Sequence, residues 1–251
     1  MRVRSAPTAG LLAPALMLGF LTGLPSGAVL AQERPVDLEL VLAVDISGSV
    51  DEEEAALQRD GYVTALVDDR VVSAMGGGPF GAVAVTYVEW AGEDYQRTVV
   101  PWTLIGSREE AERFSGAIGA APLSTARWTS LSGAIDHAAT LFDGNGFEGV
   151  RRVIDISGDG VNNRGRPPSL ARDEAVAAGI TINGLPILND RPNPWGGPAP
   201  IDLDRYYEEN VIGGPGAFLI SAADFEAFEN AVRRKLVREV AGLDGPRVMR
   251  G

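Results

Sequence analysis

No cysteine occurs among the 251 residues. Disulfides, zinc–thiolate sites and a cysteine nucleophile are therefore excluded. Histidine occurs once, as His137, beside Asp136 in a stretch that reads as helix. A Ser-His-Asp triad needs its histidine at a strand-end loop, so this placement argues against one. Basic residues are scarce: 22 lysines and arginines face 34 acids, for a formal net charge of −12. Nucleic acid and anionic lipid both demand a basic face, so neither is an expected partner. Gly76-Gly77-Gly78 lacks the lysine and hydroxyl of a phosphate-binding loop. After residue 31 no stretch is apolar for the roughly 20 residues that a membrane span needs.

What is present begins with a leader. Arg2 and Arg4 precede a mostly apolar run, Leu11 to Leu24, and the small residues of Val29-Leu30-Ala31 follow. That pattern predicts a signal peptide over 1–31, cut after Ala31, and a periplasmic or secreted product. Its loss takes away two arginines and no acid, so the formal charge moves from −12 to −14. Residues 32–243 read as one domain and 244–251 as a frayed tail.

Val36 to Asp45 begins by alternating apolar and acidic residues and becomes continuously apolar, as in a parallel strand buried on both faces. Asp51 to Asp69 reads as a helix with Leu57, Ala65 and Leu66 on its apolar side. The acids Asp51 to Glu54 suit its N-terminal dipole and are expected in solvent. Gly81–Trp90 and Tyr95–Ile105 form a hairpin, and Pro101 marks the second strand as an edge. Ser107 with Glu110 is a capping box for a helix over 108–118. Thr129 opens a helix carrying Leu131, Ala134, Ile135, Ala138, Leu141 and Phe142 on one face. Arg152 to Ile156 is a strand, Ser169 caps the next helix, and Ile180 to Leu188 is a further strand. Asn189 to Pro200, with Trp195, is an irregular loop. A short helix (202–211), a last strand (217–220) and a long helix (223–241) close the domain. The long helix presents Phe225, Phe228, Val232, Leu236 and Val240. The order predicts an α/β fold of three layers, a mostly parallel sheet between helices with one antiparallel edge strand.

Ligands of such folds bind at the carboxyl ends of strands, where strand order reverses. Three segments could meet there. Asp45-Ile46-Ser47-Gly48-Ser49 leaves the first strand, Thr129 precedes a helix, and Gly158-Asp159-Gly160 follows the central strand. Their functional atoms are hard oxygens, which select Mg²⁺, or Mn²⁺ or Ca²⁺ as alternatives. The competing reading is local: serines and aspartates also form turns and cap helices. Asn162 and Asn163 stand where they could touch a ligand beside the metal, or simply shape the turn. A haloacid-type phosphoryl transfer site would need an aspartate where Ser47 stands.

These segments resemble the metal-ion-dependent adhesion site of von Willebrand factor A (vWA) domains. Beyond the motif, Tyr87-Val88-Glu89-Trp90, Ile154 to Gly160 and Val211 to Phe218 are similar to an exported bacterial vWA-like family of unknown function. The resemblance covers about residues 36–241 and implies a Rossmann-like vWA fold. It further implies that Ser47, Ser49 and Thr129 offer hydroxyl oxygens to the metal. Asp45 and Asp159 would act mainly through waters or as alternating ligands. An acidic residue of a protein partner would complete the shell. The family's third segment usually reads threonine-aspartate-glycine; here Gly158 precedes Asp159 and removes a hydroxyl. Thr125 lies near Thr129, which is preferred because a helix begins there.

The expected function is thus metal-dependent protein–protein recognition rather than catalysis. The alternatives are a metal-dependent hydrolase working through an activated water and a structural subunit with a vestigial metal loop. Shared fold alone does not choose among them.

Overall fold

The computed structural model describes residues 33–48, 50, 52–188, 202–224 and 227–242. The leader, the tail, the Asn189 to Pro200 loop with Trp195, Ser49, Asp51 and Phe225 lie outside the described residues. In chain order the elements are β1 (Arg34–Val36), β2 (Leu38–Asp45), α1 (Glu52–Leu66), α2 (Asp69–Met75), β3 (Val83–Trp90) and β4 (Gln96–Ile105). Then come α3 (Arg108–Ala120), α4 (Leu131–Thr140), β5 (Phe147–Gly149), β6 (Arg152–Gly158), α5 (Pro168–Ala177), β7 (Ile180–Pro186), α6 (Leu203–Asn210) and α7 (Phe228–Ala241).

The central sheet runs β4-β3-β2-β6-β7, parallel throughout except for the edge strand β4. All eight residues of β2 are buried, because it is central and covered on both faces. The pleat divides its side chains between two cores. Leu38, Leu40, Leu42 and Val44 pack with residues of α1, α2, α3 and α7, including Tyr62, Phe114 and Phe228. Val41 and Ala43 pack with α4, α5 and α6, including Ile135, Ala171 and Tyr207. Each fully buried leucine contributes roughly 1.5–3 kcal/mol of transfer free energy. Gly61 lets α1 approach α7: a Cβ there would sit 2.7 Å from the Phe228 ring.

Several local expectations change. Val36 to Asp45 is broken at Asp37, and β1 pairs with β5 in a separate two-stranded sheet. That small sheet covers Glu39, whose buried carboxylate accepts from the Gly149 amide (2.6 Å) and from Asn145 Nδ2 (2.5 Å). The helix from Asp51 ends at Leu66, and α2 follows after the cap at Asp68, whose side chain accepts from the Arg70 amide. Leu57 faces solvent, whereas Glu54 is buried; only Glu52 and Glu53 of that acidic turn are exposed among the described residues. Pro167, not Ser169, stands at the cap position of α5. No named strand forms over 217–220; Leu219 and Ala222 make isolated bridges to Gly184 and Ile187. The Ser107 cap of α3 is present, accepting from the Glu110 amide at 3.3 Å. Pro101 sits in β4 beside a register irregularity opposite Thr86, whose hydroxyl donates to the Val100 carbonyl.

Candidate metal centre

Strand order reverses between β2 and β6, whose connections run to opposite sides of the sheet. Asp45 is the last residue of β2, and Asp159 follows the last residue of β6. Both carboxylates therefore stand at the switch point that open α/β sheets use for ligands.

The first loop is built from its own polar groups. Asp45 Oδ1 accepts from the Ser47 amide at 2.7 Å, and the Val50 amide closes the turn onto the Ser47 carbonyl. Gln58 on α1 donates to the Asp45 carbonyl at 3.0 Å. A backbone bond from the Ala126 amide to the Ile46 carbonyl (3.0 Å) ties this loop to the segment before α4. Ser49, its remaining expected hydroxyl, lies outside the described residues.

The second loop frees Thr129 for the site. Ser130, not Thr129, caps α4, accepting from the Gly133 amide at 3.1 Å. The Thr129 hydroxyl instead donates to Ser47 Oγ at 3.2 Å, and both residues are buried. Thr125 is exposed. The third loop is bound to the second by a pair of bonds: the Thr129 amide to Asn163 Oδ1 and the Asn163 amide to the Thr129 carbonyl, each 2.9 Å. A Cβ on Gly160 would lie 3.7 Å from Thr129 Oγ1, so the third loop passes beside that hydroxyl, and the Asp159 charge acts on Asp45. Asn162 accepts from the Ser132 amide and donates to the Arg164 and Arg166 carbonyls. Both asparagines thus hold the loop in shape. Asp45, Ser47, Thr129 and Asp159 are brought together and buried.

Burial first, and then the neighbouring Asp159 charge, push the Asp45 carboxyl well above the usual carboxylate range; amides of Ser47 and Asp159 pull it back. Asp45 Oδ2 is enclosed and has no hydrogen-bond partner among the described residues. A divalent cation would offset the carboxylate repulsion, and the enclosed Asp45 Oδ2 keeps acceptor capacity that the described residues do not use. Among the described residues no group of three or more acidic, histidine or cysteine side chains is placed to hold a metal ion by itself. The donor set here is two carboxylates with hydroxyls, which fits a hard cation that keeps waters. His137 stands within α4, its imidazole pushed down by burial, and its neighbour Asp136 is held by Arg166 at 2.6 Å.

Two surrounding features have no role assigned by the metal motif. Glu89, buried in β3 beside the loops, is held by Arg59, by Arg97 at 2.7 Å and by Ser124 Oγ at 3.0 Å. A charged residue inside the apolar run of β3 was the available signal. Trp128, directly before Thr129, is 47% exposed and has a φ of 72°. That conformation is strained for a bulky side chain, and such strain clusters at functional sites. The Arg164 guanidinium lies 3.9 Å from its ring centroid. Together with Gly92, Glu93, Tyr95 and Arg127 they line a cleft of about 480 Å³ beside the candidate site loops.

Solved structures with this architecture include proximal thread matrix protein 1 of the mussel byssus, at 16% identity and a TM-score of 0.61, covering 84% of this chain and 50% of that one. This chain therefore matches about half the mussel protein's length. Another structure of that protein carries zinc in its metal-ion-dependent adhesion motif. BatB from Bacteroides thetaiotaomicron matches at 18% identity and a TM-score of 0.56, over 82% of this chain and 100% of that chain. A von Willebrand factor type A protein from Catenulispora acidiphila matches at 14% identity and a TM-score of 0.57, over 82% of this chain and 43% of that chain. At these identities the likeness is one of fold, and the fold is that of vWA domains. No curated protein sequence matches the chain. Residues 35–244 match the family described as "Protein of unknown function (DUF1194)", and the chain belongs to that family.

Proposed function

We propose that this protein is an exported vWA-type binding module whose divalent metal engages an acidic group of a protein partner. The observation that carries the reading is the convergence of Asp45, Ser47, Thr129 and Asp159 from three loops at the switch point of the sheet. Ser47, Ser49 and Thr129 would supply hydroxyl oxygens, and Asp45 and Asp159 carboxylates. With only two carboxylates the ion stays electrophilic, so a partner's carboxylate is a fitting further ligand. Zinc in the mussel protein's motif supports a divalent ion here; the hard donor set favours Mg²⁺ or Mn²⁺. The cleft beside Thr129, with its exposed Trp128 and two arginines, offers the partner an aromatic and cationic contact surface. No reaction is proposed, since the carboxylate beside the lone histidine is taken up by Arg166. Export rests on the leader sequence, and among the described residues no helix is long and apolar enough to cross a membrane.

Calorimetry tests the site. The purified protein is expected to bind Mg²⁺ or Mn²⁺ and to melt at a higher temperature with it, as a native-state ligand requires. Asp45→Ala should abolish both effects, and equal binding by that variant would sink the assignment. A pull-down from the exporting compartment, with and without chelator, then tests the partner. The protein retained should be lost on chelation and by Asp45→Ala alike.

A further inference from the structure

Gly158 ends β6 one residue before Asp159. A Cβ at this position would lie 2.8 Å from Asp45 Oδ2, 2.8 Å from the Tyr207 hydroxyl oxygen and 3.2 Å from Asp45 Cβ. Any side chain there collides with a proposed metal-loop carboxylate and with a tyrosine of α6 together. A second glycine serves the same ring: a Cβ at Gly184 on β7 would stand 3.0 Å from Tyr207 Cδ1. Two adjacent strands thus give up side chains where Tyr207 lies, one at its ring and one at its hydroxyl.

The two oxygens flanking Gly158 are complementary. Asp45 and Tyr207 are both buried, and neither Asp45 Oδ2 nor the Tyr207 hydroxyl has a hydrogen-bond partner among the described residues. An ionised carboxylate can only accept, whereas a phenol carries a proton to donate. A buried hydroxyl without a partner is unfavourable, and phenylalanine would fill the same ring space without that cost.

We propose that Tyr207 is a positioning residue for the metal loop, its hydroxyl donating to Asp45 Oδ2 across the space that Gly158 keeps free when a cation is held opposite. This role rests on the metal-site reading above. It also accounts for the glycine that stands where the vWA motif usually has threonine. The hydroxyl absent from the third loop is supplied instead by α6, a different element that reaches the same place. A carboxylate so held presents one orientation to the ion, and groups in that role commonly set metal affinity by about ten- to a hundredfold.

The test is Tyr207→Phe in the purified protein, with Mg²⁺ and Mn²⁺ titrated by calorimetry and melting followed with and without metal. The expected result is about tenfold weaker metal binding, with a metal-free melting temperature equal to or above that of the parent. Metal affinity within about twofold of the parent, against the tenfold expected, while Asp45→Ala abolishes binding, would overturn the role of Tyr207 and leave the metal site standing. A lowered metal-free melting temperature would also overturn it, since the hydroxyl would then serve the fold rather than the ion. A parent that binds neither ion overturns the site and the inference together. Gly158→Ala provides a second variant. It should weaken binding more in the parent than in the Tyr207→Phe background, where one collision is gone; strictly additive effects would count against the pairing.

Discussion

Lys235→Met should destabilise the domain by about 3–5 kcal/mol, the usual result of removing one partner from a buried ionic group. Lys235 lies on α7 with no solvent exposure, although lysine is almost never fully buried unless paired. Its Nζ is 2.5 Å from Asp155 Oδ1 in the middle of β6 and 2.6 Å from Glu239 Oε1 one turn along the helix. The Asp155 contact is an ion pair without hydrogen-bond alignment, so its attraction depends on the charge itself. Methionine keeps the length and apolar character of the stem but leaves Asp155 without its cation. For a domain of this size the loss corresponds to a fall in melting temperature of about 10 °C. A fall below about 2 °C, less than 1 kcal/mol produces in such a domain, would show that the network relaxes or admits water. Replacing Asp155 and Glu239 by apolar residues in the same background should recover most of the loss, because no unpaired charge then remains.

The same cluster is expected to make stability fall with pH across a range where most carboxylates have finished titrating. Burial, and then the Asp155 charge, push the Glu239 carboxyl from 4.5 up to about 8, against the pull of Lys235. With Glu239 protonated, the buried cluster carries one negative charge fewer. Between about 4.5 and about 8 the folded chain holds a proton that the unfolded chain has lost. The stability linked to this proton is present in full below the lower value and is lost as the pH rises through the upper one. The slope contributed by the group is at most about 1.4 kcal/mol per pH unit. Glu239→Gln keeps the shape and an acceptor for Asn183, which donates to Oε1 at 3.1 Å, and cannot ionise. Denaturant titrations at several pH values should show the slope from this range removed, and a variant more stable than the parent at the upper end of it. An unchanged profile would place the titration elsewhere.

This network and the candidate metal centre share β6. The pleat sends Val153, Asp155 and Ser157 to the side of the sheet covered by α1 and α7, while Ile154 and Ile156 enter the opposite core. Val153 packs in the apolar part of that face. Asp155 meets Lys235 of α7, and Ser157 Oγ accepts from the Tyr62 hydroxyl of α1 at 3.2 Å. Asp159 follows just beyond the strand end, at the candidate metal centre. One face of a single strand thus passes from apolar packing, through a buried ion pair, to the site. A strand anchored in this way to two helices holds the Asp159 loop on a rigid base, which a precise ligand geometry requires.

The sequence by itself determined the features that depend on near neighbours. The apolar run ending at Asp45, the helical spacing from Leu131 to Ala138, the Ser107 cap and the edge position of Pro101 are all set within a few residues, and each is present in the fold, although α4 ends at Thr140, before Leu141 and Phe142. The three segments of the site were legible for the same reason, since each leaves a strand or precedes a helix. Tertiary structure alone decided the rest. Glu54 and Lys235 are charged residues that local pattern assigns to solvent, and both are buried. The 217–220 segment has the composition of a strand but finds only isolated bridges beside β7. Asp37 interrupts the first strand because its carboxylate accepts from the Phe80 and Ala82 amides, far along the chain. The Tyr207 hydroxyl approaches Asp45 only because Gly158 and Gly184, distant in sequence, stand on adjacent strands. Periodicity reports which face of an element is apolar. It carries no information on which distant polar group will meet a charge, and that meeting determines whether the charge can be buried.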